Sequence, residues 1–238
     1  ARATAMSAAA DALHPALVHH IVNSLGWPRL RPLQEAAVAP LLAGEHALLV
    51  APTAGGKTEA AFFPVLSRML TEDWSGLTVL YLCPLRALLN NLHVRLDGYA
   101  QLVGRRVGLW HGDIGDGARQ RMLRNAPDIL LTTPESLEAM LLSTRVEHRQ
   151  WFANLRTVVI DEAQNCTYGQ IKMLLTRLGW NSTMVVTGDP AQTDLLPDLS
   201  GLHTVADKLE GVANIAVCRL TETDIVRHPL VASMLGVL

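Results

Sequence analysis

Two short stretches of this chain hold residues that could do chemistry together. The first is Ala51-Pro-Thr-Ala-Gly-Gly-Lys-Thr58: a small residue, four of any kind, then Gly-Lys-Thr. Small residues at Thr53, Ala54, Gly55 and Gly56 let backbone N–H groups turn inward around phosphate oxygens. A helix that starts there points its positive end at the same oxygens. Lys57 would then reach the β- and γ-phosphates of a nucleotide, and the Thr58 hydroxyl would hold Mg²⁺. The second stretch is Asp161-Glu162, which closes the apolar run Leu155-Arg-Thr-Val-Val-Ile160. There Asp161 would hold the Mg²⁺ through water and Glu162 would polarise the attacking water.

Other residues extend this set. Gln34 stands about 20 residues before the phosphate loop, and its amide offers a donor and an acceptor side by side, as an adenine edge requires. Gln192, after the run Thr183-Met-Val-Val-Thr187, would lie near the γ-phosphate if that strand neighbours the phosphate-loop strand. Arg86 and Thr133 each stand where an apolar strand gives way to a helix, a place suited to a nucleic-acid phosphate. Trp110 could stack on a base but reads more simply as packed core. Arg105, Arg106, Arg119, Arg121 and Arg124 make 105–124 the most basic stretch.

The elements that must position these residues follow from apolar periodicity. Ala47–Val50 is a strand before the phosphate loop, and Glu59-Ala-Ala-Phe-Phe63 continues as a helix after it. Unbroken or nearly unbroken apolar runs predict further strands at 78–83, 105–110, 128–133, 155–160, 183–187 and 214–220, with helices between them. Helices are also expected over 8–24, up to Leu42, over 167–178, near 202–209 and from about Asp224. Seven strands alternating with helices, without a linker or repeat, predict an α/β fold: one doubly wound domain over 1–238, with 1–24 as an N-terminal helical extension. Ligands in such sheets gather at the carboxyl ends of the strands.

Bulk composition agrees. The 238 residues are 49% hydrophobic and 18% charged, which suits a buried core and excludes disorder. Net charge is -2, unevenly placed: residues 1–156 carry 15 Lys and Arg against 13 Asp and Glu, and residues 157–238 carry 5 against 9. The first part is the expected nucleic-acid face. Cys83, Cys166 and Cys218 have no metal-binding or disulfide spacing, which points to a reducing cytoplasm. His14, His19 and His20 have no acidic or cysteine partner that would make a metal site. No apolar run reaches membrane-spanning length. The chain begins Ala1-Arg-Ala-Thr-Ala, with no signal-peptide core and no Met, which leans towards a trimmed chain.

Residues from about 25 to 160 closely resemble the first RecA-like domain of Lhr-type DEAD/DEAH-box helicases. Leu30-Arg-Pro-Leu-Gln34 looks like the adenine-reading Q motif, 51–58 with Glu59-Ala-Ala-Phe-Phe-Pro64 like motif I, and Cys83-Pro-Leu-Arg-Ala-Leu88 like motif Ia. Trp110-His-Gly-Asp113 and Leu131-Thr-Thr-Pro-Glu-Ser136 match the strand-binding motifs that follow. The resemblance implies ATP and Mg²⁺ as cofactors, and single-stranded RNA or DNA crossing near Arg86, Gly112 and Thr133.

That family continues Asp-Glu-x-His, whereas this chain reads Asp161-Glu-Ala-Gln-Asn165. From there to about Leu230 it resembles PhoH-like ATPases, through 170–179, Val186-Thr-Gly-Asp-Pro-Ala-Gln192 and Asp224-Ile-Val-Arg-His-Pro-Leu230. The Ser-Ala-Thr motif of DEAD-box proteins is replaced by Thr187-Gly-Asp-Pro-Ala-Gln192. A seam is therefore expected near 157–165, with the phosphate loop held beside that strand. Gln164 and Gln192 would couple γ-phosphate state to the nucleic-acid face. The implied fold is a RecA-like P-loop NTPase with helices on both faces of a mostly parallel sheet.

Three functions follow as expectations. One is a nucleic-acid-dependent ATPase, the motor half of a helicase. It would be slow alone, because the second RecA-like domain that supplies an arginine finger, worth about 10³–10⁵ in rate, is missing. Another is a PhoH-like homo-oligomeric ring in which Arg227 of a neighbour is the finger, against a reading of Arg227 as a partner of Asp224. The third is a hybrid folded module, natural or engineered, with a nucleotide site and little catalysis.

Overall fold

The computed structural model describes residues 7–52, 55–169, 172, 181–190, 192–193 and 201–220. Seven strands appear where the apolar runs predict them: β1 (His46–Val50), β2 (Val79–Leu82), β3 (Val107–Trp110), β4 (Ile129–Thr132), β5 (Thr157–Ile160), β6 (Thr183–Gly188) and β7 (Ile215–Arg219). They form one sheet in the order β3-β4-β2-β5-β6-β1-β7. Every pairing is parallel.

Successive side chains on each strand enter opposite layers, which is why the strands read as near-continuous apolar runs. On β2, Val79 and Tyr81 join one core cluster while Leu80 and Leu82 join the other. The first layer is built by α1 (Ala8–Asp11), α2 (Pro15–Asn23), α3 (Pro32–Leu42), α4 (Lys57–Thr71) and α5 (Arg86–Leu102). The second layer contains α6 (Asp116–Arg124), α7 (Pro134–Leu142), α8 (His148–Trp151) and α9 (Leu202–Leu209). Phe62 and Phe63 of α4 are fully buried in the first layer, each worth about 1.5–3 kcal/mol of transfer free energy. That packing fixes the helix that follows the phosphate loop.

The helix expected over 8–24 is broken in two. Pro15 has no N–H to donate, and its ring keeps His14 out of the helical region, at ψ 131°. His14 instead caps α2, accepting from the Ala16 N–H at 3.2 Å through Nδ1. Leu13, Leu17 and Ile21 are still buried against the first layer. Strand β6 pairs with both β1 and β5 and stands between them. The helices expected over 167–178 and from Asp224 lie largely or wholly outside the described residues.

Candidate nucleotide and nucleic-acid site

The phosphate loop leaves β1 at Val50 and is tied to β6 by the Ala51 N–H, which donates to the Gly188 carbonyl at 3.1 Å. Gly56 adopts φ +81°, a left-handed conformation that disfavours any side chain, and a Cβ there would lie 2.7 Å from Gln34 Nε2. Helix α4 starts at the next residue. Lys57 Nζ donates to the Ala51 and Pro52 carbonyls, at 2.8 and 3.3 Å. Burial pulls the Lys57 pKa down, against the opposing pull of Asp189, Asp161 and Glu162. Thr53 and Ala54 lie outside the described residues. Gly55, Gly56, Lys57, Thr58, Asp161 and Glu162 line one cleft of about 420 Å³. Its other walls include Trp27, Arg95 and Tyr99.

The acids are held by side chains from two strands, β2 and β6, and from the turn that follows β5. Asp161 is 4% exposed. Its Oδ2 accepts from the Tyr81 hydroxyl at 2.6 Å, and its Oδ1 accepts from the Thr187 hydroxyl in a short hydrogen bond. The Glu162 N–H is the third donor to this carboxylate and reaches Oδ1 at 3.0 Å. A carboxylate has about four acceptor positions, so little of this one is left for a metal except through water. Glu162 has φ +59°, unusual outside glycine. Its Oε2 accepts from Gln164 Nε2 at 2.5 Å. Burial raises the Glu162 carboxyl, with Asp161 adding to the rise, while Gln164 and Lys57 oppose it. A carboxylate so raised is a better proton acceptor.

Gln164, 3% exposed, joins these acids to the next strand. Its Oε1 accepts from the Asp189 N–H at 3.1 Å. Gly188 makes room for that bridge, since a Cβ there would lie 2.9 Å from Gln164 Oε1 and 2.5 Å from Leu202 Cδ2. Gln192 is exposed in the turn after β6, where its N–H donates to the Asp189 carbonyl at 3.0 Å. The strand that precedes it does neighbour β1, as its proposed position requires. Arg227 lies outside the described residues.

Gln34 sits in the first turn of α3, 2% exposed. Its Oε1 accepts from the Arg31 N–H at 2.9 Å, while Nε2 is buried with no acceptor among the described residues. An orphaned amide donor facing Gly56, a glycine-only cradle and a lysine resting on its own loop carbonyls fit a nucleotide with bound phosphates. Among the described residues no cluster of three or more His, Cys, Asp or Glu could hold a metal by itself. Mg²⁺ would depend on Thr58, Asp161 and phosphate oxygens together.

The expected nucleic-acid residues share a rim, because β3, β4 and β2 are adjacent and parallel. Arg86 opens α5 after β2, Gly112 follows β3, and Thr133 follows β4. Arg86 Nη1 is 3.6 Å from the Asp113 carboxylate, and a Cβ on Gly112 would lie 3.2 Å from Arg86 Nη2. Arg119 Nη2 donates to the His111 and Gly112 carbonyls, at 3.0 and 3.1 Å, fixing that turn. Thr133 is buried, and its hydroxyl accepts from the Ser136 N–H at 3.2 Å to cap α7. What faces the rim there is the helix end and not a free hydroxyl.

Sequence reasoning missed Tyr81 and Thr187 as partners of Asp161. One signal was available. Tyr81 is the only hydroxyl in the run Val79–Leu82, and a buried Tyr usually finds an acceptor. It also missed Arg95 and Tyr99 on the cleft, which meet Glu59 at 3.3 and 3.1 Å. Trp110 is packed core, 9% exposed, with its ring centroid 6.0 Å from that of Trp151.

Comparison with known proteins gives two matches that overlap. A family model described as DEAD/DEAH box helicase matches residues 31–189, and one described as PhoH-like protein matches residues 151–238. The Lhr helicase/probable uracil glycosylase of Mycolicibacterium smegmatis is 37% identical over 146 residues, covering 55% of this chain and 10% of that protein. A PhoH-like protein of Bacillus subtilis is 49% identical over 79 residues, covering 33% of this chain and 25% of its own. The chain thus spans a quarter or less of these two relatives. Among solved structures, helicase Lhr of Mycobacterium smegmatis bound to ssDNA and AMP-PNP aligns over 90% of this chain and 28% of its own. Its TM-score is 0.66 at 26% identity. DEAD-box helicase Mss116 bound to ssRNA and UDP-BeF aligns over 92% of this chain and 45% of its own. Its TM-score is 0.68 at 16% identity, a likeness of fold.

Proposed function

The chain belongs to the DEAD/DEAH box helicase family, and on that premise we propose that residues 1–238 form one RecA-like ATPase domain whose turnover depends on single-stranded nucleic acid. The observation that carries this is the cleft shared by Lys57, Thr58, Asp161 and Glu162. ATP would lie along it, its phosphates over Gly55, Gly56 and the start of α4, with the free Gln34 amide N–H available to the base. Thr58 and Asp161, the latter through water, would hold Mg²⁺, which supplies charge neutralisation on the phosphates when bound. Glu162, with its raised proton affinity, is the catalytic base that orients and deprotonates the attacking water. Gln164 acts as a positioning residue, because it touches both Glu162 and the loop after β6 that leads to Gln192. The strand, RNA or DNA, would cross the rim of Arg86, Gly112 and the α7 N-terminus. The free cysteines suit a reducing cytoplasm.

Glu162→Gln tests this reading. Turnover should fall about 10²–10⁴-fold, while the thermal stabilisation given by ATP stays. Turnover that survives the change would remove Glu162 from the base role. An arginine finger from a second RecA-like domain would complete the site, so the isolated 238 residues should bind ATP, turn it over slowly and fail to unwind duplexes. A strand-displacement assay with robust unwinding by the monomer counts against this.

The PhoH-like match over 151–238 favours a second assembly of the same chemistry, a homo-oligomeric ring with Arg227 as the neighbour's finger. Sedimentation with ATP that finds only monomer eliminates the ring.

A further inference from the structure

On the second layer of the sheet, away from the nucleotide cleft, the edge strand β3 carries another concavity. Trp110, Leu123 of α6 and Met140 of α7 line a hollow of about 390 Å³. A neighbouring hollow of about 320 Å³ is lined by Leu77 and Trp151. Leu123, Arg124 and Arg145 belong to both, so the two form one groove. It begins at the carboxyl end of β3 and runs to the turn before β2, beside a helix, α6, that fully buries none of its residues.

Three features of the groove look unfinished. Arg124 and Arg145 are exposed, and no side-chain hydrogen bond or ion pair engages either among the described residues. Trp151 is 9% exposed, and its buried indole N–H has no acceptor among the described residues. Arg119 stands 5.6 Å over the Trp110 ring, with a buried Nε that also has no acceptor among the described residues. Buried donors normally find partners, so the groove offers two free guanidinium groups and an indole donor over an apolar floor. Its acids are few: Asp116 is 3.6 Å from Arg119, and Glu147 is exposed at the far end.

We propose that this groove takes one or two nucleotides of the same single strand after it leaves the rim at Arg86 and Gly112. Phosphates would meet Arg124 and Arg145, whose planar forks match phosphate oxygens. A base would lie on the apolar floor and accept from the Trp151 N–H. Continuity favours nucleic acid over an acidic peptide. The turn that holds Gly112 against Arg86 is the one fixed by Arg119, and Arg119 lines the groove. The proposal rests on reading that rim as the nucleic-acid face.

Fluorescence anisotropy with labelled single-stranded oligonucleotides, RNA and DNA of about 12 residues, tests it. The double variant Arg124→Ala/Arg145→Ala should weaken binding tenfold or more. It should also lower the slope of log affinity against log salt by about 1.4, the loss expected for two phosphates of a single strand. Arg149→Ala, an exposed arginine on α8 that lines neither hollow, controls for net charge and should change little. Trp151→Phe keeps a ring and removes the donor. It should fold normally, bind about 2–10-fold more weakly, and lose part of the tryptophan quenching that oligonucleotide causes in the parent protein. A double variant that behaves like Arg149→Ala overturns the proposal, while weakened binding by Arg86→Ala in the same assay leaves the rim reading intact. Quenching by polyglutamate but not by oligonucleotide overturns it in favour of a protein partner. A parent protein that binds no single strand removes both the groove and the rim.

Discussion

The two walls of the nucleotide cleft are held in different ways. On the loop wall, Lys57 rests on carbonyls five and six residues away, and Gly56 turns into the helix that it starts. On the acid wall, Asp161 is gripped by Tyr81 and Thr187, 80 and 26 residues distant in sequence, and Gln164 reaches the Asp189 backbone 25 residues on. The loop is a local device that needs a strand before it and a helix after it. The acids form a tertiary device that needs β2, β5 and β6 in register. Tyr81 lies where only the helicase model matches, and Thr187 lies in the stretch that both models match. The acid wall is therefore where the two resemblances must fit each other.

The sharpest way to separate the walls is Lys57→Ala. Its two hydrogen bonds are local and burial already opposes its charge, so the ligand-free protein should unfold within about 1.5 kcal/mol of the parent. The stabilisation given by ATP, about 2.7 kcal/mol at a hundredfold excess over Kd, should vanish. Thermal unfolding with and without ATP measures both. A large loss of ligand-free stability would mean that the loop wall is not a local device.

The acid wall should respond in the opposite sense. Tyr81→Phe and Thr187→Val each remove one hydroxyl from a buried carboxylate and should each cost about 1–3 kcal/mol in urea unfolding without ligand. Because both act on the same Asp161 side chain, the double variant should depart from additivity by about 0.5–3 kcal/mol. Additive losses would show that the two hydroxyls support Asp161 independently. Thr187→Ser, which keeps the hydroxyl, should recover most of the loss.

This contrast also explains what could be read from the sequence. The phosphate loop, the acid pair and all seven strands are signalled by residues close together in the chain. The run Thr78–Cys83 announces β2 without ambiguity. It does not announce that Tyr81 pairs in register with Val159, two residues before Asp161. That depends on strand order, which local periodicity does not encode, and for the same reason the insertion of β6 between β1 and β5 was not foreseen. Pro15 was legible as a helix breaker, but the apolar spacing of Leu13, Leu17 and Ile21 hid the break because their burial runs across it.

The smallest expected effect concerns protons on the acid wall. Burial first, and Asp161 second, raise the Glu162 carboxyl above its ordinary value. The folded protein therefore holds that proton to higher pH than the unfolded chain, whose glutamates titrate near about 4.3. Stability from this group is full below the unfolded value and is lost as pH rises through the folded one. Glu162→Gln is neutral throughout and does not suffer that loss. Its melting temperature should gain on that of the parent between pH 4 and pH 7, by less than the hydroxyl removals cost, because Glu162 is partly exposed and solvent screens it. Melting curves of the two proteins at pH 4, 5.5 and 7 test this. A difference that is flat with pH would mean that Glu162 titrates as an ordinary surface carboxylate. The acid wall would then owe its strength to the Tyr81 and Thr187 hydroxyls on Asp161, with no contribution from a proton held by its neighbour.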